Sequence, residues 1–227
     1  MNHNDYLFSF SNSEFRFLRR FDEMYKNCED PHGQSKAIYR IDYQIVSSVL
    51  DRALLSLAGA GRPPRILDVG CGLGYFTAQV HKLFPDAEVA GCDISANAID
   101  KARVHAPECK FFTLDLKDGP RVPSRSYDAI VALHMLCYFT DAEIDGVVDN
   151  LHRMLQPGGF ILVGHHLPKQ MNFGRFIQSL DDARALFEPR GFALRVALDI
   201  TNELDRDHAG EVVGRSIYFL AHTVQRT

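Results

Sequence analysis

Between Arg65 and His166, short apolar runs alternate with amphipathic stretches, and few folds satisfy that pattern. RILDVG (65–70), EVAGCDI (88–94), CKFFTLDL (109–116), YDAIVALHML (127–136) and GFILVGHH (159–166) read as strands that end near Gly, Asp or His. YFTAQVHKLF (75–84), SANAIDKARVHA (95–106) and DAEIDGVVDNLHRML (141–155) space their apolar residues three and four apart, as helices do. Ser95 and Thr140 stand where N-caps belong, and Pro157–Gly158 ends the third helix before a new strand. Strands that are apolar throughout are those covered on both faces. The pattern therefore predicts an α/β fold with a mostly parallel sheet between helical layers.

The two ends differ from this middle. The first 60 residues are aromatic and read as helical, with 39–59 the clearest amphipathic helix, and GAGRPP (59–64) punctuates the join. The expected organisation is an N-terminal helical cap over 1–60 and a core over 61–227, within one structural domain. Residues 176–192 read as a helix broken at Pro189–Gly191. Two strand-like runs follow, 192–200 and 215–224, separated by the polar, turn-rich TNELDRDHAGEVVG.

Composition narrows the function. A net charge of −4 leaves no global basic footprint, so nucleic acid is not an expected partner. The five cysteines are scattered and form no C-x-x-C pair, which suggests neither a disulfide framework nor a zinc site. No apolar run is long enough to span a bilayer, and the N-terminus lacks a leader pattern. The expectation is a cytoplasmic protein that does not engage membrane, as monomer or homodimer.

The chemistry gathers at the strand ends. Gly70, Gly72 and Gly74 form G-x-G-x-G where the first strand of the alternation turns into a helix, a place that offers backbone N–H groups to a ligand. The spacing is not the G-x-G-x-x-G of dinucleotide folds, and Asp68 just before it would repel a pyrophosphate. Both features count against a nicotinamide dehydrogenase. Asp93 ends the second strand, where an acid accepts ribose hydroxyls. Asp115 ends the third, placed to meet an adenine amine.

In order and spacing, LDVGCGLG, the acid of GCDIS, TLDL, YDAIVALHML and LQPGGFILV resemble the motifs of class I S-adenosylmethionine-dependent methyltransferases. The resemblance covers roughly residues 64–166. It implies a Rossmann-like, seven-stranded sheet with an antiparallel last strand and S-adenosylmethionine as cofactor, S-adenosylhomocysteine being the product. It further implies that Asp68, Gly70 and Gly72 hold the methionine moiety, with Gly74 shaping the turn. Asp93 would bind the ribose, Ile94 would pack on adenine, Asp115 and Leu116 would flank the adenine amine, and the His134 backbone would face the methionine part.

Methyl transfer from a sulfonium needs in-line placement more than a strong acid, and a histidine suits the role of base. His134, His165 and His166 are the candidates. His165 and His166 are adjacent on a strand, so their side chains should diverge. The N-terminal stretch is similar, through Glu29–Pro31 and the pair Tyr39–Arg40, to the nodulation N-methyltransferase group, although His32 stands where that group carries tryptophan. Tyr25, Tyr39 and Arg40 are accordingly expected to close over the cofactor or face the acceptor. The expected activity is methyl transfer to nitrogen or oxygen of a small-molecule acceptor; the alternative is a catalytically silent cofactor-binding regulator.

Overall fold

In the computed structural model, which describes residues 4–11, 14–57, 61–121, 123–167, 174, 176–206 and 212–224, the alternation becomes a seven-stranded sheet. The N-terminal elements are α1 (Asn4–Leu7), β1 (Phe8–Ser11), β2 (Glu14–Phe17), α2 (Phe21–Asn27), α3 (Gln34–Ala37) and α4 (Ile41–Leu54). The alternating part runs β3 (Arg65–Val69), α5 (Tyr75–Leu83), β4 (Glu88–Asp93), α6 (Ala96–His105), β5 (Lys110–Thr113), β6 (Tyr127–Leu133), α7 (Asp141–Met154) and β7 (Leu155–His166). It closes with α8 (Leu180–Phe187), β8 (Phe192–Arg206) and β9 (Val212–Thr223).

The sheet order is β5-β4-β3-β6-β7-β9-β8. Pairing is parallel from β5 through to β7, and β9 lies antiparallel to both β7 and β8. The last strand in sequence is thus the one that runs against the others, as expected. Since β4 and β5 lie on one side of β3 and β6 on the other, the chain reverses its direction of growth at β3. Crevices open at such switch points, beyond the carboxyl ends of the strands.

Alternate residues of each strand feed two apolar layers. Val46 and Leu50 of α4, Val80 of α5 and Ile99 of α6 bury against Ile66, Val131, Phe160 and Leu162. Val148 and Leu151 of α7 and Phe187 of α8 bury against Leu67, Ile130, Ile161 and Phe219 on the opposite face. The helix α4, drawn from the first 60 residues, therefore shares the sheet's own core. A third cluster, around Leu7, Met24, Tyr25 and Leu73, seats α1 and α2 beside the glycine turn. The expected caps are present: Ser95 accepts from the Ala98 N–H, and the Glu143 carboxylate accepts from the Thr140 N–H at 2.9 Å.

Two expectations are corrected. Phe-Ser-Phe-Ser and Glu-Phe-Arg-Phe near the N-terminus are not helical but pair as a hairpin, Phe8 opposite Phe17. Their aromatic residues alternate at period two, which is a strand pattern. The polar segment after Ile200 was expected as turns, yet β8 continues to Arg206 and β9 begins at Val212. Cross-strand backbone pairs and the Asp199–Arg215 ion pair at 2.7 Å hold the two strands together here. Residues 207–211 lie outside the described part. No helix among the described residues is long and apolar enough to cross a membrane.

Phe187 is fully buried, edge-on to Phe192 at 5.4 Å and to Phe219 at 4.9 Å. Phe187→Ala is expected to lower unfolding free energy by about 3–5 kcal/mol. Urea denaturation followed by far-UV circular dichroism reads the change, and a midpoint equal to the parent's would contradict this packing.

Candidate functional site

The turn from Gly70 to Gly74 leaves the end of β3 at the switch point with all three glycines in the left-handed region. Every N–H of the turn is already used. Those of Gly70 and Cys71 donate to the Cys92 carbonyl at 2.8 and 3.0 Å, and that of Gly74 to the Cys71 carbonyl at 3.0 Å. The Gly72 N–H donates to Asp93 Oδ2 at 3.0 Å, and the Leu73 N–H to Gln34 Oε1 at 2.8 Å. A turn whose donors are spent internally is no cradle for a phosphate, which needs free N–H groups. The sequence led us to expect donors offered to a ligand; the structure turns them inward.

What the glycines admit is also different. A Cβ on Gly72 would stand 2.5 Å from the Gln34 carboxamide and 2.7 Å from the Tyr25 hydroxyl. On Gly74 it would strike Phe111 and Ala102. Side chains of this protein, more than a bound molecule, occupy the room that glycine leaves at 72 and 74.

Beside the turn lies a cavity of about 520 Å³, a size typical of small-molecule sites. Gly70, Asp93, Ile94, Asp115 and Leu116 share its walls with His134, His166 and Ser216. Asp93 accepts from the Gly72 and Ser95 N–H groups, one on each carboxylate oxygen. Burial raises its pKa against the pull of these N–H bonds. Asp115 is held by the Lys117 N–H at 2.9 Å and lies 3.8 Å from the Lys117 ammonium. Ile94 is 47% exposed, a large apolar surface presented to the cavity beside Asp93. Asp68 sits beneath the turn and is not part of the cavity wall, taking the Thr77 hydroxyl at 2.6 Å. Burial pushes it up to about 7, opposed by Thr77 and assisted by the Asp93 charge.

Two of the three histidines reach the cavity. His166 lines it, with Nδ1 3.4 Å from Ser216 Oγ. His165 points to the other face of β7, fully buried against Phe176, and is not brought to the cavity. The diverging strand geometry was legible; which histidine faced inward was not. His134 lines the cavity with φ +57°, a conformation that costs a non-glycine residue about 1 kcal/mol or more. The Tyr218 hydroxyl donates to Asp42 Oδ2 at 2.7 Å, so His134 Nε2, 3.0 Å from the same oxygen, supplies the proton of their shared bond. Nδ1 is then a bare nitrogen, buried and without a partner among the described residues. Burial, then the neighbouring His166, takes His134 down to about 3, so the ring is neutral in the free protein.

The N-terminal elements contribute to the cavity wall beside the glycine turn. Tyr25 is buried and lines it, and burial lifts its phenol well above the ordinary value. Arg40 lines it as well, paired with Asp42 at 3.2 Å. Tyr39 is 78% exposed and does not reach the cavity, because it precedes α4 on the solvent side while Arg40 turns in. Sequence reasoning missed Gln34, Asp42 and Tyr218. Asp42 and Tyr218 stand 176 positions apart, and no local pattern links them.

Comparison with known proteins agrees with this geometry. Residues 66–159 match the family described as a methyltransferase domain. The tRNA N(3)-cytidine methyltransferase METTL2 of Xenopus tropicalis is 30% identical over 65% of this chain and 46% of its own length. The trans-aconitate 2-methyltransferase of Methylobacterium radiotolerans is 34% identical over 48% of this chain and 41% of its own. This chain thus spans less than half the length of these two relatives. Magnesium protoporphyrin IX methyltransferase of Synechocystis PCC 6803, solved with bound S-adenosylmethionine, shares the fold at TM-score 0.62 and 20% identity, over 85% of this chain and 84% of that one. In its sheet order and in the methyltransferase-domain match over residues 66–159, this chain is similar to S-adenosylmethionine-dependent methyltransferases.

Proposed function

We propose that this chain transfers a methyl group from S-adenosylmethionine to a nitrogen or oxygen of a small-molecule metabolite. The observation that carries the reading is a single cavity lined by the acids Asp93 and Asp115 and by His134 and His166. The residues present fit the cofactor. Asp93 is the group for the ribose hydroxyls, Asp115 for the adenine amine, and Ile94 and Leu116 supply apolar surface for the base. Gly70 and the His134 backbone are at the methionine end of the cavity; Asp68 and Gly72, which do not line it, shape the turn there.

Bound there, the cofactor supplies an electrophilic methyl group on a sulfonium sulfur. The chain's part is placement. Tyr25, Phe21 and Tyr138 shield the cavity from water, and rigid strand ends hold the acids that orient the nucleoside. Methylation of a hydroxyl or amine releases a proton, and His166 is the histidine positioned to receive it from an acceptor in this cavity, whereas His134, lowered to about 3 by burial, is a poor base.

A small acceptor is favoured over RNA by the charge of the cavity mouth. Each cationic side chain on its wall has a carboxylate partner: Arg19 with Glu143, Arg40 with Asp42, and Lys117 with Asp115 and Glu143. Paired cations make a poor track for phosphates. The direct test is S-adenosylhomocysteine formation with the small-molecule fraction of a cell extract and, separately, with its RNA. Turnover with the first fraction is expected. Turnover with RNA alone would overturn the acceptor class, and binding without turnover on any fraction would favour the silent regulator.

The two buried acids give two further tests. Asp93→Ala should weaken S-adenosylhomocysteine binding roughly 10- to 100-fold by calorimetry, since charge-assisted hydrogen bonds are lost; unchanged affinity in a folded variant would contradict the assignment. Asp68, raised to about 7, binds its proton more tightly folded than unfolded. Its contribution to stability is full below the ordinary carboxylate range and is lost as pH rises through about 7. Asp68→Asn still accepts from Thr77 but carries no charge, so the drop in Tm between pH 5 and pH 8 should be smaller than in the parent. Parallel Tm profiles would show that Asp68 is not the buried acid described.

A further inference from the structure

We propose that Gln34 is a positioning residue for the methionine end of the cofactor, acting by bracing the glycine turn. The inference rests on the reading that this cavity binds S-adenosylmethionine. The Gln34 carboxamide meets the turn as a second strand would. Its Nε2 donates to the Cys71 carbonyl at 3.3 Å, and its Oε1 accepts from the Leu73 N–H at 2.8 Å. Gly72 lies between those two residues, and only a glycine leaves room for the carboxamide there. Leu73 is almost wholly buried, so without Gln34 its N–H would stand unpaired away from water, while the Cys71 carbonyl would keep only the Gly74 N–H.

Gln34 is itself held in place. Asp30 Oδ1 accepts from the Gln34 N–H at 2.7 Å, and Oδ2 accepts from the Ser35 N–H at 3.0 Å and the Ser35 hydroxyl at 2.7 Å. The segment that carries it is tied to the part of the sheet that bears Asp93. Asp22 accepts from the Ser95 hydroxyl and the Asn97 N–H, both at 2.9 Å, next to Asp93. Lys101 of α6 donates to the carbonyls of Tyr25 at 2.5 Å and Cys28 at 2.9 Å. Gln34 also lines the cavity, so turn, N-terminal segment and ligand space meet at this one side chain.

A brace on the turn acts on the part of the ligand that the turn faces. S-adenosylhomocysteine has an amino-acid end there; 5′-methylthioadenosine keeps the nucleoside and lacks it. Gln34→Met preserves length and packing over Gly72 while deleting both hydrogen bonds. Calorimetry on the full chain should show S-adenosylhomocysteine about tenfold weaker with Gln34→Met, and methylthioadenosine changed by less than about twofold. If that variant does not fold, Gln34→Glu, which keeps only the acceptor for Leu73, carries the same comparison. Equal losses for the two ligands, or no loss for S-adenosylhomocysteine, would overturn the role of Gln34 and leave the cofactor reading intact. If the parent chain binds methylthioadenosine too weakly to measure, the loss on S-adenosylhomocysteine alone decides. A parent chain that binds neither ligand would overturn the cofactor reading, and this inference with it.

Discussion

The Asp93 carboxylate holds the site together. One oxygen takes the Gly72 N–H and the other the Ser95 N–H, so a single side chain joins the glycine turn after β3 to the start of α6 after β4. Ser95 then passes the connection on to Asp22 and the N-terminal segment. The parallel pairing of β3 with β4 brings these pieces within reach, since Val69 sits opposite Cys92 and the two strands end together. Asp93 also lines the cavity, so the residue that ties these elements together is part of its wall.

Charge follows from the same arrangement. Asp68 and Asp93 are buried within each other's field, and the donors that hold them are a hydroxyl and backbone N–H groups rather than a lysine or arginine. Burial without a cationic partner raises both. Such a pocket is poorly suited to a pyrophosphate, whose charge would add to theirs, and well suited to a ligand that brings its own positive groups. The inward-turned N–H groups of the turn point to the same choice.

The middle of the fold was legible because its signals are local and repeated. Apolar strands, helical spacing and caps at Ser95 and Thr140 recur through 65–166, and the chain order of the strands follows from right-handed crossovers. Asp93 and Asp115 could be placed because strand ends are read directly. The glycines were only half read: their turn was expected, but their neighbours Gln34, Phe111 and Met135 come from distant parts of the chain. Gln34 looked like an ordinary polar residue until α3 set it against the turn. The link from Asp42 through Tyr218 to His134 depends on three elements meeting, which no spacing records. The N-terminal hairpin was missed for another reason: four-residue strands carry too little period to outweigh the helical pattern of their neighbours in the chain.

The central claim is that this cavity is shaped and charged for a sulfonium nucleoside rather than a dinucleotide. Isothermal titration of the full chain with S-adenosylhomocysteine, and in parallel with NADH, tests it most directly. The account predicts micromolar, one-to-one binding of the first and no heat of binding from the second. Binding of NADH with no response to S-adenosylhomocysteine would contradict it.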